Sequence, residues 1–282
     1  MPFLPLKDAI HAHVPDGASV ALEGFTHLIP FAAGHEIIRQ GKRDLHLIRL
    51  TPDLVYDQMI GMGCARRLTF SWGGNPGVGS LHRLRDAVEH AWPRPLELDE
   101  HSHAGMAAAY CAGASNLPFG TLRGYIDNDL SQVNPRIRGV TCPFTGERLA
   151  AVPAINPDVT ILHAQRADRD GNIAIDGIIG AQREAALAAR TLLVTVEEIV
   201  DRLPPAMNAI VLPHWIVTAV AHCPGGAYPS YAHGHYARDN AFYRQWDEIA
   251  RSREGFARWM QQHVLGTADH GAFLASLQDK AA

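Results

Sequence analysis

The ten residues Ser71-Trp72-Gly73-Gly74-Asn75-Pro76-Gly77-Val78-Gly79-Ser80 hold four glycines between a strand-like run and a helix-like run. Glycine admits left-handed backbone and lets main-chain N–H groups come close to a ligand. An N–H fixed beside a carbonyl oxygen stabilises the charge that develops when that carbonyl is attacked. Ser71, Gly73, Gly74 and Asn75 are therefore candidates for lining an acyl site. The glycines would act through backbone N–H groups, Ser71 and Asn75 through side-chain hydrogen bonds. A helix starting near Ser80 would add its own N-terminal N–H groups. The spacing matches neither G-x-G-x-x-G nor a loop ending in G-K-[S/T], so neither common nucleotide fingerprint is present. The competing reading is a tight strand-to-helix connection without a ligand.

Gly24-Phe25-Thr26-His27 follows another strand-like run, which makes Phe25, Thr26 and His27 pocket candidates against the alternative of an ordinary turn. Asp99-Glu100-His101-Ser102-His103 concentrates two carboxylates, two imidazoles and a hydroxyl. Imidazoles titrate near neutral pH, so Glu100, His101, Ser102 and His103 suit hydrogen-bonding or acid–base work at a pocket. His101 and His103, two apart, suit a strand better than a helix, and no second cluster has metal-ligand spacing, so no metal is expected. The plain alternative is a helix start capped by Ser102. Tyr231-Ala232-His233-Gly234-His235-Tyr236 repeats the two-residue histidine spacing and reads as a surface loop under aromatic rings. G-x-S-x-G is absent, so no hydrolase triad is legible. Cys64 and Cys111 fall near helix positions and read as buried packing residues rather than nucleophiles.

These residues need strand ends to hold them. Strand-like runs at Ser19–Glu23, Leu45–Leu50, Arg67–Ser71, Val159–His163, Leu192–Val196 and Val217–Ala221 alternate with helical patterns. The helices fall at Lys7–Val14, from Pro30 to Gly41, Leu54–Met62, Leu81–His90, Met106–Ala114 and Ala181–Ala189. Such alternation predicts an α/β fold with an open, mostly parallel sheet and helices on both faces. Ligands in these folds sit beyond the carboxyl ends of strands. Three exits qualify: 24–27, Thr51-Pro52-Asp53 and 71–75. Residues 120–152 read as an irregular excursion, 166–172 as a polar turn, and 239–282 as a helical C-terminal tail broken near Arg253 and Gly266. No clean linker interrupts the chain, so 1–282 is expected to form one domain.

Composition narrows the classes. The 282 residues are 47% hydrophobic, enough for a core and too many for a disordered chain. A net charge of −4 gives no basic footprint for nucleic acid. Charged residues are 19%, below the usual share of about a quarter, as expected if part of the surface meets a partner. No signal peptide or membrane-length apolar run is visible, and the four cysteines form no C-x-x-C pair. A reducing cytoplasm is the expected location.

Several of these stretches resemble one family. They are Val20–His27, Phe70–Ser80, Leu98–Ala104, Ala112–Phe119, Val140–Glu147, Cys223–Ala227 and Pro229–Gly234. Together they are similar to the A (alpha) subunits of family I coenzyme A transferases, of the type that includes 3-oxoadipate and glutaconate enzymes. The resemblance spans nearly the whole chain. It implies the open α/β fold, an A2B2 heterotetramer with a B subunit, and CoA transfer from succinyl-CoA to a dicarboxylic acid, foremost 3-oxoadipate. The CoA thioester would be a substrate, with no permanently bound cofactor. It also implies a ping-pong path through a glutamate of the B subunit, which forms an acyl anhydride and then a glutamyl-CoA thioester. This chain lacks the S-E-N-G stretch of the single-chain type, and Glu23, the conceivable alternative, coincides with the family's alpha-type glycine motif. By the same resemblance, the segment around Glu100, His101 and Ser102 lines the site where the B subunit faces it. The distal carboxylate of an acceptor needs a cation or N–H cluster, for which His27, His101 and His103 are the candidates.

Overall fold

Apolar runs flanked by glycine, proline and aspartate become strands, and amphipathic stretches become helices, in the order α1 (Leu6–His13), β1 (Ser19–Glu23), α2 (Phe31–Arg39), β2 (Leu45–Ile48), α3 (Leu54–Gly61), β3 (Ala65–Phe70), α4 (His82–His90), β4 (Glu97–Glu100) and α5 (His103–Ala114). There follow β5 (Phe119–Leu122), α6 (Asp129–Val133), β6 (Arg138–Thr141), β7 (Arg148–Pro153), β8 (Val159–Asp168), β9 (Ile173–Ile175), α7 (Gln182–Ala188), β10 (Thr191–Val200), β11 (Ile210–Leu212) and β12 (Ala219–His222). The tail supplies α8 (Asn240–Arg251), α9 (Arg253–Met260), a wide π-type turn (Gln261–Leu265) and α10 (His270–Gln278). The computed structural model describes residues 3–126, 128–206 and 209–278. Met207 and Asn208 and the last four residues of the predicted tail lie outside the described residues.

The main sheet has nine strands. Of these, β12, β10, β8, β1, β2, β3 and β4 lie side by side in that order, all parallel. The chain starts in the middle, winds outward through β2 to β4, and returns to build the other half. The reversal between β1 and β8 is the kind of switch point where a crevice opens beyond the strand ends. β9 pairs antiparallel with the far end of β8, and β11 with β9.

Strand alternation sends side chains to two cores. Val20 and Leu22 of β1 and Leu45 and Leu47 of β2 join the core under α1 to α4 and the tail. Ala21 and Ile48 join the opposite core, under α5 and the excursion. A third cluster lies in the second half of the sheet, around β8, β10 and β12.

The structure departs from the sequence expectations in several places. The excursion forms a three-stranded antiparallel sheet, β5–β7–β6. β4 was unread because its pattern is mostly exposed, as expected at a sheet edge, and leaves no apolar run. The polar turn is shorter than 166–172, since Arg166 to Asp168 continue β8. His101 and His103 do not share a strand: His101 follows β4, and His103 opens α5. Among the described residues, no helix is long and apolar enough to cross a membrane.

Candidate active site

Beyond the carboxyl ends of β1, β2 and β3 lies a cavity of about 300 Å³. Phe25, Ile29, Trp72, Pro76, Tyr231 and Tyr243 give it apolar walls, and Thr26, Arg49, Thr51, Asp53, His103 and Arg238 give it polar edges. It is thus mainly apolar with few polar groups, the usual character of a small-molecule site.

The first wall is a sharply bent turn. A Cβ on Gly24 would stand 2.6 Å from the Leu28 carbonyl oxygen, so only glycine fits there. Thr26 and Leu28 adopt φ of 62° and 52°, in the left-handed region. Such residues cost roughly 1–3 kcal/mol each and persist only where surrounding contacts over-determine them. Distant residues supply those contacts. Leu28 N–H donates to the Tyr231 carbonyl at 2.9 Å, Arg49 Nη2 donates to the Gly24 carbonyl at 3.1 Å, and His27 stacks on Tyr231 with centroids 4.9 Å apart.

His27 is fully buried, with Nε2 2.5 Å from the Ile178 carbonyl. Burial pushes its pKa below the ordinary histidine value despite that carbonyl, so the ring is neutral near pH 7. It holds the turn and is not among the residues lining the cavity. Glu23 is also sealed, at 2% exposure. Its Oε1 accepts the Leu50 N–H and the Tyr110 hydroxyl, each at 2.9 Å, and burial raises its pKa. That arrangement braces β1 against β2 and α5 and leaves no path to a thioester carbonyl.

The second wall is the glycine loop, which is more occupied internally than its composition suggests. Ser71 Oγ donates to the Leu50 carbonyl at 2.5 Å. Gly74 N–H donates to the Pro52 carbonyl at 3.2 Å. Asn75 is buried, and its Nδ2 donates to the Tyr243 carbonyl at 2.8 Å. Of the four residues, Gly73 keeps a backbone N–H without an acceptor among the described residues. The helix expected near Ser80 starts at His82. Its first N–H groups are not open to an anion, because Asp57 Oδ1 accepts those of Arg83 and Leu84 at 2.8 and 2.9 Å.

The acidic-histidine cluster divides. Ser102 caps α5, accepting the Gly105 N–H at 3.1 Å, and His103 reaches the cleft from the first turn. Asp99 and His101 are turned away into a second, polar cavity of about 180 Å³, shared with His46, Thr69 and Arg136. There Asp99 gathers Arg67 Nη2 (2.7 Å), Thr69 Oγ1 (3.0 Å), Asn134 Nδ2 (3.1 Å), His101 Nε2 (3.1 Å) and Arg136 Nε (3.1 Å). Glu100 has an exposed side chain, while its carbonyl accepts from Asn134 at 2.7 Å. Among the described residues no cluster of three or more His, Cys, Asp or Glu is arranged to hold a metal.

The sequence reading missed Arg49, Arg238 and Tyr243. Arg49 is 1% exposed and pairs with Asp53 at 3.2 Å, a contact set by their spacing across the end of β2 and the start of α3. Arg238 and Tyr243 come from the tail, which folds back over the strand ends. No local spacing announces that return.

A mainly apolar cleft beyond the strand ends of an open parallel sheet, with two arginines in its lining, has the character of a small-molecule site. The chain belongs to the coenzyme A transferase family, whose model matches residues 4–222. It is 63% identical over 276 residues, 98% of both chains, to the A subunit of 3-oxoadipate CoA-transferase from Pseudomonas knackmussii. It is 32% identical to the A subunit of glutaconate CoA-transferase from Acidaminococcus fermentans, covering 97% of this chain and 91% of that one. The crystal structure of glutaconate coenzyme A-transferase from that organism superposes with a TM-score of 0.90 at 29% identity, over 98% of this chain and 93% of the other. A crystal structure of the decarboxylase AibA/AibB matches with a TM-score of 0.78 at 32% identity, over 92% and 98%.

Proposed function

We propose that this chain is the A subunit of a 3-oxoadipate CoA-transferase, which moves CoA from succinyl-CoA to 3-oxoadipate together with a B subunit. The observation that carries this is the 63% identity over 98% of both chains to the corresponding subunit of an enzyme with that activity. The cleft supports it with an apolar volume suited to a short acyl chain and a cation at its edge.

The reaction exchanges a thioester between two carboxylates and needs a carboxylate nucleophile that can reach the thioester. Among the described residues the cleft offers none. Glu23 is sealed under Tyr110, and Asp53 is buried against Arg49. As the family resemblance implies, the nucleophile is a glutamate of the B subunit: it attacks the thioester and expels CoA thiolate to form the anhydride, and the thiolate then attacks the glutamyl carbonyl, expelling succinate and leaving a glutamyl-CoA thioester. The present chain positions the acyl group against its apolar walls, and the Gly73 N–H, which has no acceptor among the described residues, is the backbone donor proposed for the developing oxyanion. Phe25, Thr26 and His103 line the acyl pocket, and His27 supports it from behind. As the family resemblance implies, the segment around Glu100, His101 and Ser102 faces the B partner. The reading is completed by an A2B2 assembly in the cytoplasm, where CoA thioesters are made and used. The working unit is the whole of 1–282, since the tail both packs into the main core and lines the cleft.

The test is to co-express the chain with its B-type partner, incubate with succinyl-CoA, reduce with borohydride and map the altered residue by mass spectrometry. The expected site is a glutamate outside residues 1–282. Modification of Glu23, or full transfer activity from the isolated chain, overturns the assignment.

A further inference from the structure

We infer that Arg238 is the residue that holds the remote carboxylate of the acyl group and makes the cleft selective for dicarboxylic over monocarboxylic acids. This rests on the proposed CoA-transfer reading and goes beyond it, since the sequence had pointed to histidines for this task.

Two arginines reach the cavity, and they differ in what already answers them. Arg49 is buried, paired with Asp53, and bonded to the Gly24 carbonyl, so its charge is used to hold the turn. Arg238 has no carboxylate within 4 Å among the described residues. Its Nη2 donates to the Pro76 carbonyl at 2.9 Å, and its guanidinium lies 3.9 Å from the centre of the Tyr243 ring. These contacts fix the plane of the fork; its charge also acts on Asp53 across the cavity, but that carboxylate forms its ion pair with Arg49. The adjacent acid does not compete: Asp239 accepts the Phe242 N–H at 2.9 Å and the Tyr228 hydroxyl at 2.5 Å. His27 is buried and neutral and His101 faces the other cavity, while His103 lines the cleft but has no fork of parallel donors for a carboxylate.

A guanidinium without a direct ion pair at the edge of an apolar cavity recognises a planar anion through parallel N–H donors. Carboxylate and phosphate share that chemistry. The acyl carboxylate is favoured because a mainly apolar cavity of about 300 Å³ accommodates a short acyl chain rather than the nucleotide end of CoA.

The experiment uses the complex with the B partner and compares kcat/KM for 3-oxoadipate with that for 3-oxohexanoate, its counterpart without the second carboxylate. Arg238→Met is expected to lower the dicarboxylate-to-monocarboxylate ratio by about 10- to 100-fold, the scale of a lost hydrogen bond to a charged group. Arg238→Lys, which keeps the charge and loses the fork, is expected to fall between. Repeating the comparison with a succinyl-pantetheine donor, which has no phosphates, separates the two anions: the same fall in ratio supports the acyl carboxylate. A loss equal for both acceptors overturns the inference, as does an effect of Arg238→Met that vanishes with the phosphate-free donor. If the wild-type complex prefers a different dicarboxylic acid, the 3-oxoadipate assignment fails, while the same ratio measured with that acid still decides the role of Arg238. If it transfers CoA to no acid at all, both fail.

Discussion

At the scale of single residues, the cleft is held by groups whose replacement acts through a neighbour. A methyl group on Gly74 would lie 2.5 Å from the Trp72 ring. Trp72 is half-exposed and can turn away, so Gly74→Ala should assemble normally and move one wall of the cleft. The expected result is a raised KM for the acyl substrates with a smaller change in kcat, because the Gly74 N–H already serves the Pro52 carbonyl. Steady-state kinetics decide this, and a fall confined to kcat would instead point to a transition-state donor. Arg49 and Asp53 make a different kind of pair, since both are 1% exposed. Asp53→Asn leaves a buried guanidinium without its counter-charge and should cost about 3–5 kcal/mol in urea unfolding. The Gly24 turn, held by the same arginine, should loosen with it.

At the scale of elements, one carboxylate gathers the polar links between the excursion and the edge of the main sheet. Asp99, at the edge strand β4, receives Asn134 and Arg136 from the segment between α6 and β6. Burial alone would raise its pKa, but the hydrogen bond and charge of His101, with Asn134 and Arg136, win and hold it well below the usual carboxylate range. A folded-state pKa depressed below the unfolded value contributes stability above the unfolded value, about 4, which is lost as pH falls through the folded one. Asp99→Asn should therefore destabilise the chain at pH 7 and make stability flatter with pH below about 4. Thermal unfolding of both proteins across that range checks it. Hydrogen exchange should rise first in residues 119–153.

α4 shows the opposite sign. Its N-terminus is capped from α3 by Asp57, which burial pushes up to about 6 against the N–H groups of Leu84, Trp246 and Arg83. The folded state then keeps a proton that the unfolded chain releases, so this contribution to stability falls as pH rises from about 4 to about 6.

At the scale of the whole molecule, the tail is both a core element and a wall of the site. Trp246 of α8 is fully buried, packs edge-on against Trp259 at 5.1 Å, and donates its indole N–H to Asp57 at 3.2 Å. Tyr243, one turn earlier, lines the cleft and accepts the Asn75 amide on its carbonyl. Trp246→Ala should cost about 3–5 kcal/mol, as large-to-small core changes do. It should also weaken acyl binding, because α8 carries both residues. Trp246→Phe, which keeps most of the volume, should recover most of the stability. Chemical denaturation together with KM separates the two effects.

The strand–helix order, the three strand exits and the Ser102 cap were legible in the sequence, because periodicity, glycine and capping residues are local signals acting over a few positions. The glycine loop reaches the cleft through Trp72 and Pro76 rather than through Ser71, Gly73, Gly74 or Asn75, and its internal hydrogen bonds were not legible, since Pro52, Leu50 and Tyr243 are set against it by packing. β4 and the antiparallel excursion were hidden because edge and exposed strands carry little apolar alternation. Only the tertiary structure brought Arg238 to Pro76, 162 positions away, and turned Asp99 and His101 from the cleft into a cavity of their own. Contacts of that range come from the winding of the sheet and the return of the tail, and such contacts leave no spacing in the chain to read.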